Sequence, residues 1–275
     1  MSAIARSAQD GATLLAGLLL TAVTITAAVQ APVPPTDNER ERGVSIAREA
    51  DRRDSGWRDA RVEVRMILRN QHGETSDRFL RSAWLEVPGD GDRTIVIFDR
   101  PADVKGSAVL TFSHKSGDDD RWIYLPAVGR TKRVASSNKA GPFMGSEFAF
   151  EDLASQEPEK YVYRHVRDDV LEGASVWVVE RDPLDPRSGY ARQLVWYDQA
   201  EYRPRKIEYF DRKNELLKTL TYDQYERVDR FWRARIQVMV NHQTGKSTRV
   251  EFGPYRLGSG LTLADFSVER LSATR

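Results

Sequence analysis

The chain has 275 residues, with 42 Lys and Arg, 41 Asp and Glu, and a formal net charge of +1. This balance argues against nucleic acid as a partner, because nucleic-acid-binding domains usually carry an excess of basic side chains. The absence of cysteine excludes disulfides, thiolate nucleophiles, cysteine zinc ligands and a lipid-modified N-terminal cysteine. A chain of this length buries a large core without such covalent or metal supports.

The first thirty-one residues have the three-part layout of a secretory signal peptide. An uncharged stretch from Ala12 to Val29 follows a short N-terminal segment with one arginine, Arg6, and small residues lead up to Ala31. An uncleaved membrane anchor is the alternative, since about 18 apolar residues just span a bilayer. Threonines and alanines make this stretch a poor span. We therefore predict a cleaved signal over residues 1–31 and a single exported domain over residues 32–275.

One amphipathic helix is predicted at the start of the mature chain. Thr36 or Asp37 can cap it, and acidic residues in its first turn suit the helix dipole. Val44, Ile46, Ala47 and Ala50 form a modest apolar stripe, and the pair Ser55-Gly56 ends the helix.

From Arg61 onward the hydrophobic period changes to two, which is typical of half-buried strands. In RVEVRMILRN, Val62, Val64 and Met66 point to one face and the intervening charged residues to the other. Similar segments follow at short spacing, separated by turn-forming residues. They lie near residues 78–86, 93–99, 107–112, 121–125, 161–166, 175–180, 192–197, 205–210, 216–222, 231–240 and 248–252. Such a series predicts an antiparallel meander that curls to bury one face.

The single long connection, residues 128–158, carries the candidate functional side chains. Phe143, Met144, Phe148 and Phe150 give it a large apolar content between glycines. These side chains either plug the open end of the sheet or form an adaptable lid over a ligand, and the two interpretations are compatible.

The same connection holds four basic residues, Arg130, Lys132, Arg133 and Lys139. They form either an ordinary solvated loop or a contact for an anionic lipid head group or an acidic surface of a membrane partner.

Three segments carry a family resemblance. WIYLPAVGRTKRVASSNKAGPFMGSEFAFEDL, Trp122 to Leu153, resembles the signature stretch of the outer-membrane lipoprotein-sorting (LolA-like) family. Its elements there are W-x-Y-L-P, a basic run, and F-M-G-S-x-F-x-x-E-D-L. PADVKGSAVL, Pro101 to Leu110, matches a P-x-D-x-K-G-(S/T)-x-x-L strand start, and IAREADRRDSGW, Ile46 to Trp57, lies where the family places its first helix.

The resemblance implies a mainly β fold: a half-open antiparallel β-barrel of about eleven strands with covering helices, similar to LolA and LolB. Its cavity would hold acyl chains of a lipid or lipoprotein, with Trp122 and Tyr124 added to the phenylalanines and Met144 as candidate ligand contacts. Similar members are often associated with inner-membrane transporters of the RND/MMPL type. The expected function is therefore a periplasmic carrier that passes an acyl-bearing ligand to or from such a partner.

No motif in the sequence demands catalysis, a metal or a cofactor. The four histidines lack metal-ligand spacing, and Ser136 to Lys139 forms an S-x-x-K pattern without its partner motifs. Asp118, Asp119 and Asp120 follow Ser-Gly in a predicted hairpin turn rather than a calcium loop. We therefore expect no enzyme. The alternative to a carrier is an envelope-stress sensor or adaptor of the same fold that binds lipid or misfolded envelope protein.

Overall fold

The structure is a computed structural model that describes residues 34–273, and from Pro35 onward the chain forms one compact unit. The predicted signal peptide, residues 1–31, lies outside the described residues. The described part contains one α-helix, fourteen strands and five short 3-10 turns. They are α1 (Asp37–Asp54), β1 (Asp59–Arg69), β2 (Thr75–Leu85), β3 (Arg93–Arg100), β4 (Ala108–Phe112), β5 (Asp120–Leu125), β6 (Arg130–Arg133), β7 (Tyr161–Leu171), β8 (Ala174–Pro183), β9 (Tyr190–Asp198), β10 (Pro204–Asp211), β11 (Leu216–Val228), β12 (Phe231–Asn241), β13 (Ser247–Phe252) and β14 (Arg256–Leu257), with turns at Ser136–Asn138, Phe150–Leu153, Pro158–Lys160, Leu263–Asp265 and Glu269–Ala273.

The helix begins where its capping residues predict. Thr36 accepts a hydrogen bond from the backbone of Glu39, and the Glu39 carboxylate accepts one from the backbone N–H of Thr36, which completes a capping box. Ile46 and Ala47 are buried against the sheet. Gly43 allows the closest approach, since a Cβ there would lie 2.7 Å from the carbonyl carbon of Arg164 in β7. The helix therefore packs directly on the backbone of an edge strand.

All fourteen strands belong to one antiparallel sheet. The order is β6-β5-β4-β3-β2-β1-β13-β12-β11-β10-β9-β8-β7, and β14 pairs with β1 beside this path. The two end strands, β6 and β7, do not pair with each other, so the predicted half-open antiparallel barrel is confirmed. The count is fourteen rather than about eleven, mainly because β6 and β14 are too short and polar to show alternation. A single α-helix, rather than several, covers the inner face within residues 34–273.

Residues from both ends of the strand order meet in one core. Val64 of β1, Val109 of β4, Tyr163 of β7 and Tyr209 of β10 belong to the same buried cluster, together with Ile46 of the helix. Because strands so far apart in the sheet share a core, the sheet must curl, and we call this side the inner face. A separate cluster on the outer face lies beneath the C-terminal segment, which contributes Leu261, Phe266 and Leu271.

The seam between the two edges is bridged by side chains and by the connection from β6 to β7. Lys139 in that connection pairs with Asp185 of the β8–β9 turn, with Nζ and Oδ2 2.7 Å apart. Lys160 pairs with Asp119 of the β4–β5 hairpin. Arg187 pairs with Asp118 of the same hairpin. The barrel is thus held together at its seam by ion pairs rather than by strand pairing.

Candidate functional site

A cavity of about 910 Å³ lies on the inner face of the sheet. It is bounded by the C-terminal half of α1, by β1–β3 on one side and β7–β13 on the other, and by residues 153–158. Because strands from both halves of the sheet line it, the cavity occupies part of the hollow that the curled sheet encloses.

Aromatic side chains form much of the cavity surface. Trp84 and Tyr255 stack with ring centroids 6.3 Å apart, and Phe252 stacks on Tyr255 at 5.7 Å. Tyr197 and Tyr222 line the cavity from β9 and β11. We call these five residues the aromatic wall. Aromatic groups present a large apolar surface, so the wall fits an apolar ligand.

Two arginines that line the cavity are paired with carboxylates. Arg53 contacts Glu49, with Nε and Oε1 2.7 Å apart, and its guanidinium lies 4.2 Å from the ring centroid of Tyr202. Arg203 contacts Asp198 at 2.7 Å. These arginines have carboxylate partners within the protein.

Asp92 is an acidic group of the cavity with a strongly raised pKa. Burial raises the pKa of its carboxyl from 3.8 to about 7, and the nearby carboxylates of Glu157 and Glu86 raise it further. Its backbone N–H donates to Ser155. The side chain is therefore poised between its neutral and charged forms at neutral pH.

Arg181 of β8 is the one buried cation among the described cavity-lining residues. It is only 4% exposed, and it stands between Tyr163 of β7 and Gln193 of β9. Its Nε donates to the Gln193 amide oxygen at 2.8 Å, and its Nη2 donates to the Gln156 amide oxygen at 3.1 Å. Sequence reasoning missed this residue. The sequence did contain a signal for it: strand alternation puts Arg181 on the same face of β8 as the apolar residues Trp177 and Val179.

The predicted flap, which we define as residues 141–152, lies beside the cavity and not in its wall. Phe143 is 1% exposed, and its ring lies 5.8 Å from the rings of both Phe98 and Phe150. Phe148 is also buried, and the Met144 carbonyl accepts a hydrogen bond from Arg78. The structure therefore brings these four predicted residues together as a plug at one end of the hollow.

A buried polar network holds the flap. The Lys218 ammonium lies 2.6 Å from the Asp152 carboxylate, and both side chains are at most 4% exposed. Asp152 also accepts hydrogen bonds from the Tyr190 hydroxyl at 2.7 Å and from the Ala149 backbone at 2.6 Å. The Glu147 carbonyl accepts from Lys218 at 3.0 Å. Opening the flap would leave these buried charges without partners.

Trp122 and Tyr124, which the sequence analysis named as candidate ligand contacts, do not lie in the inner cavity. They belong to the outer-face cluster of β3–β5, where Tyr124 is buried and Trp122 packs edge-on against Phe112 at 4.9 Å. Strand alternation explains the error, because Arg121 and Ile123 take the inward positions of β5. The two residues are therefore not contacts of the inner cavity.

The four basic residues do not form one cluster. Arg130 and Lys132 are on the edge strand β6, and both Arg130 and Lys132 are exposed. Arg133 pairs with Asp120, and Lys139 is paired with Asp185 across the seam. Charged residues on an edge strand also discourage pairing with another sheet. Of the four, only Arg130 and Lys132 lack a carboxylate partner among residues 34–273, and they present positive charge on this edge.

A second, smaller hollow of about 570 Å³ lies on the outer face between β1–β3 and the C-terminal segment. Ala83 and Ile95 contribute apolar surface, and Arg61, Arg81 and Arg256 contribute charge. None of the sequence-predicted site residues lies there. No helix within residues 34–273 has the length and apolar character needed to cross a membrane.

An unclosed antiparallel sheet that curls around an internal cavity defines a half-open barrel. Among solved structures, the chain is similar to an outer membrane lipoprotein-sorting protein domain from Vibrio parahaemolyticus, with 50% identity, a TM-score of 0.83, and coverage of 85% of this chain and 99% of that one. It is also similar to a DUF1329 family protein from Desulfovibrio piger, with 26% identity, a TM-score of 0.81 and the same coverages. A LolA superfamily protein from Nitrosomonas europaea shares the fold at 20% identity and a TM-score of 0.66, over 81% of this chain and 96% of that one.

A family model described as an uncharacterized protein matches residues 90–273, and no curated protein matches the chain. The chain covers 99% of the domain from Vibrio parahaemolyticus, to which it is 50% identical. The chain belongs to the outer-membrane lipoprotein-sorting (LolA-like) family, as its sequence motifs predict.

Proposed function

We propose that this protein is a periplasmic carrier that binds the acyl part of a lipid or lipoprotein in the inner cavity. It would be exported by the signal peptide over residues 1–31. It would pass its ligand to or from a membrane partner, for which an RND/MMPL-type transporter is the leading candidate. Membership of the lipoprotein-sorting family supports this function, and we propose binding and release without catalysis.

The inner cavity is the observation that carries the proposal. Its volume of about 910 Å³ lies near the top of the range of roughly 300–1,000 Å³ found for small-molecule pockets. Burying one methylene group contributes about 0.8 kcal/mol, so some ten groups contribute roughly 8 kcal/mol. Before association costs are subtracted, this corresponds to micromolar binding, which suits a carrier that must also release its ligand.

The contrast between the two ends of the hollow supports access from the α1 side. The flap is tied down by the buried pair of Lys218 and Asp152, and breaking such a pair costs several kcal/mol. Around the cavity, by contrast, Asp51, Arg53 and Asp54 of the helix are exposed to solvent. A ligand would therefore enter beside the C-terminal end of α1 while the flap stays closed.

Native mass spectrometry of the protein purified from the periplasm of its own host tests the proposal directly. We expect a co-purifying lipid or acylated species, and N-terminal sequencing of the same sample should locate the signal cleavage. A protein partner without any lipid would favour the sensor or adaptor alternative. Protein that carries no lipid and binds no acyl probe would contradict carriage.

A matched pair of variants tests the place of binding. Ala50→Phe adds bulk to the inner cavity, whereas Ala83→Phe adds the same bulk to the outer-face hollow. We expect Ala50→Phe to weaken binding of a fluorescent fatty acid at least tenfold and Ala83→Phe to leave it within twofold. Equal effects of the two substitutions would place the ligand elsewhere.

A further inference from the structure

The cation Arg181 is buried at the inner cavity without an anionic partner. Among residues 34–273, no carboxylate oxygen lies within 4.0 Å of its guanidinium nitrogens. The cavity arginines Arg53 and Arg203, in contrast, each contact a carboxylate at 2.7 Å. Arg181 therefore differs from them both in burial and in lacking a counter-charge.

The groups that contact Arg181 are neutral. Its hydrogen-bond acceptors are the amide oxygens of Gln193 and Gln156, and its guanidinium lies 4.7 Å from the ring centroid of Tyr161. Burial raises the pKa of Tyr161 to about 12 and that of Tyr163 further still. These hydroxyls stay protonated at neutral pH and supply no negative charge.

A network of hydrogen bonds fixes the position of the Arg181 side chain. Gln156 donates from its amide nitrogen to the carbonyls of Ala154 at 2.9 Å and Glu151 at 3.3 Å, which turns its oxygen toward Arg181. The Tyr161 hydroxyl donates to the same oxygen at 2.8 Å. The guanidinium is thus held in one orientation at the cavity wall.

Burying an arginine without a counter-charge is unfavourable, because the group keeps its proton at any ordinary pH and loses its hydration. Two amide oxygens offset part of this cost and leave the net charge of the site at +1. A planar guanidinium suits carboxylate and phosphate, which it can bind through two parallel hydrogen bonds. An anion that enters the cavity would supply the missing partner.

We propose that Arg181 binds the anionic head group, a carboxylate or a phosphate, of an amphiphile whose acyl chain lies against the aromatic wall. This inference rests on the proposed acyl-binding function and narrows it to lipids with a negative head group. Seven strand-to-strand steps separate Arg181 on β8 from Trp84 on β2, and the cavity touches both. An elongated ligand can therefore contact the cation and the wall at the same time.

The distribution of charge favours a head-inward orientation. Near solvent the cavity is lined by charges of both signs: the exposed Asp51 and Asp54 lie with the exposed Arg53 and Arg230, and Asp54 is paired with Arg233. These charges offset one another, whereas Arg181 in the buried part has no counter-charge. The unbalanced positive charge therefore lies in the buried part, and the negative head points inward.

Three probes with the same chain length separate the head-group classes. Palmitate carries a carboxylate, palmitoyl-lysophosphatidylglycerol carries a phosphate, and hexadecanol carries neither. Displacement titrations on the full protein should show at least tenfold tighter binding of one anionic probe than of hexadecanol. The tighter of the two anionic probes identifies carboxylate or phosphate as the head group.

Variants of Arg181 then assign the preference to this side chain. Arg181→Gln should weaken the anionic probe at least tenfold and leave hexadecanol within twofold, while Arg181→Lys should restore part of the preference. The control Arg53→Gln removes a cation of the cavity that already has a carboxylate partner, and it should leave the ratio within twofold. Thermal unfolding of each variant shows whether it is folded.

A photoreactive palmitate with its diazirine next to the carboxylate provides a test on the unaltered protein. It should label residues around Arg181, such as Tyr161, Tyr163 and Gln193, whereas a diazirine at the far end of the chain should label the aromatic wall. Equal affinity of the unaltered protein for palmitate, the lysophospholipid and hexadecanol, or the reverse labelling pattern, overturns the inference but leaves acyl binding intact. Failure of all three probes to bind contradicts the proposed function itself.

Discussion

The two ends of the inner hollow are built from the same sheet but are filled differently. At one end the flap inserts Phe143 and Phe148, both nearly inaccessible to solvent, and ties them down through Lys218 and Asp152. At the other end the α1 helix stands off from the aromatic wall and leaves a cavity of about 910 Å³. The chain therefore supplies its own filling at one end and leaves space for a ligand at the other.

This difference separates residues that hold the barrel together from residues that are available for binding. A side chain such as Phe143 contributes to stability because its surroundings are closely packed. A side chain such as Phe252 faces the cavity and keeps part of its surface free. Substitutions at the flap end should therefore act on folding, and substitutions at the cavity end should act on binding.

The largest effect is expected from Lys218→Met. It leaves the Asp152 carboxylate buried without its partner, and we expect the free energy of unfolding to fall by about 3–5 kcal/mol. Chemical denaturation measures this loss. The double variant Lys218→Met with Asp152→Leu removes both charges and should recover much of it. The exposed pair of Arg81 and Asp99 gives the control, since Arg81→Met should cost less than about 1 kcal/mol. A loss as small as the control's would show that the pair does not anchor the flap.

The fold was predictable from the sequence because its signals are local. The capping box at Thr36 and Glu39 and the alternation of Val62, Val64 and Met66 each depend on a few neighbouring residues. Strand β6 was not predictable in this way. Its residues Arg130–Arg133 are polar throughout, and they form a strand only because β5 offers an unpaired edge.

The candidate site was less predictable because it depends on which face of each strand turns inward. Trp122 and Tyr124 attract notice as large aromatic residues, but one step of alternation places them on the outer face. Arg181 shares one face of β8 with Trp177 and Val179, and only the curl of the sheet shows that this face turns inward. Its isolation from carboxylates results from the packing of β7, β9 and the 153–158 segment around it, which no local pattern reveals.

A matched pair of phenylalanine truncations tests the separation of folding from binding. Phe143→Ala should lower the free energy of unfolding by about 3–5 kcal/mol, because it opens a void in a packed core. Phe252→Ala should cost about half as much, since its side chain is only partly buried. Fatty-acid binding should show the opposite order, with at least a fivefold loss for Phe252→Ala and less than twofold for Phe143→Ala. Binding losses of equal size would mean that the flap also contacts the ligand.

A smaller, pH-dependent effect is expected from Asp92→Asn. The folded protein holds the Asp92 proton up to a pKa of about 7, whereas the unfolded chain releases it near 3.8. The carboxyl group therefore destabilises the fold increasingly as pH rises between these values, and the full penalty applies above pH 7.

Asparagine removes this penalty. The stability of the variant relative to the parent protein should therefore rise by about 1–2 kcal/mol from pH 5 to pH 8. The full gap between the two pKa values corresponds to roughly 4 kcal/mol, and the expected change is smaller because the window starts at pH 5 and because water reaches part of the side chain. Denaturation at the two pH values measures the gain. The exposed Asp103→Asn is the control and should show the same stability difference at both. A gain that shrinks with rising pH would contradict the raised pKa.

The smallest effect on folding is expected at the seam edge, where Arg130 and Lys132 present free charge on β6. Reversing both, in Arg130→Glu with Lys132→Glu, should change the free energy of unfolding by less than about 0.5 kcal/mol, since both side chains are exposed. Co-sedimentation with vesicles that contain anionic lipid should fall at least fivefold if this edge meets the membrane or a partner there. Lys213→Glu with Lys246→Glu makes the same charge change on turns away from β6 and should leave co-sedimentation within twofold. Equal losses for the two double variants would assign the attraction to overall charge, and β6 would then serve only as a protected edge of the sheet.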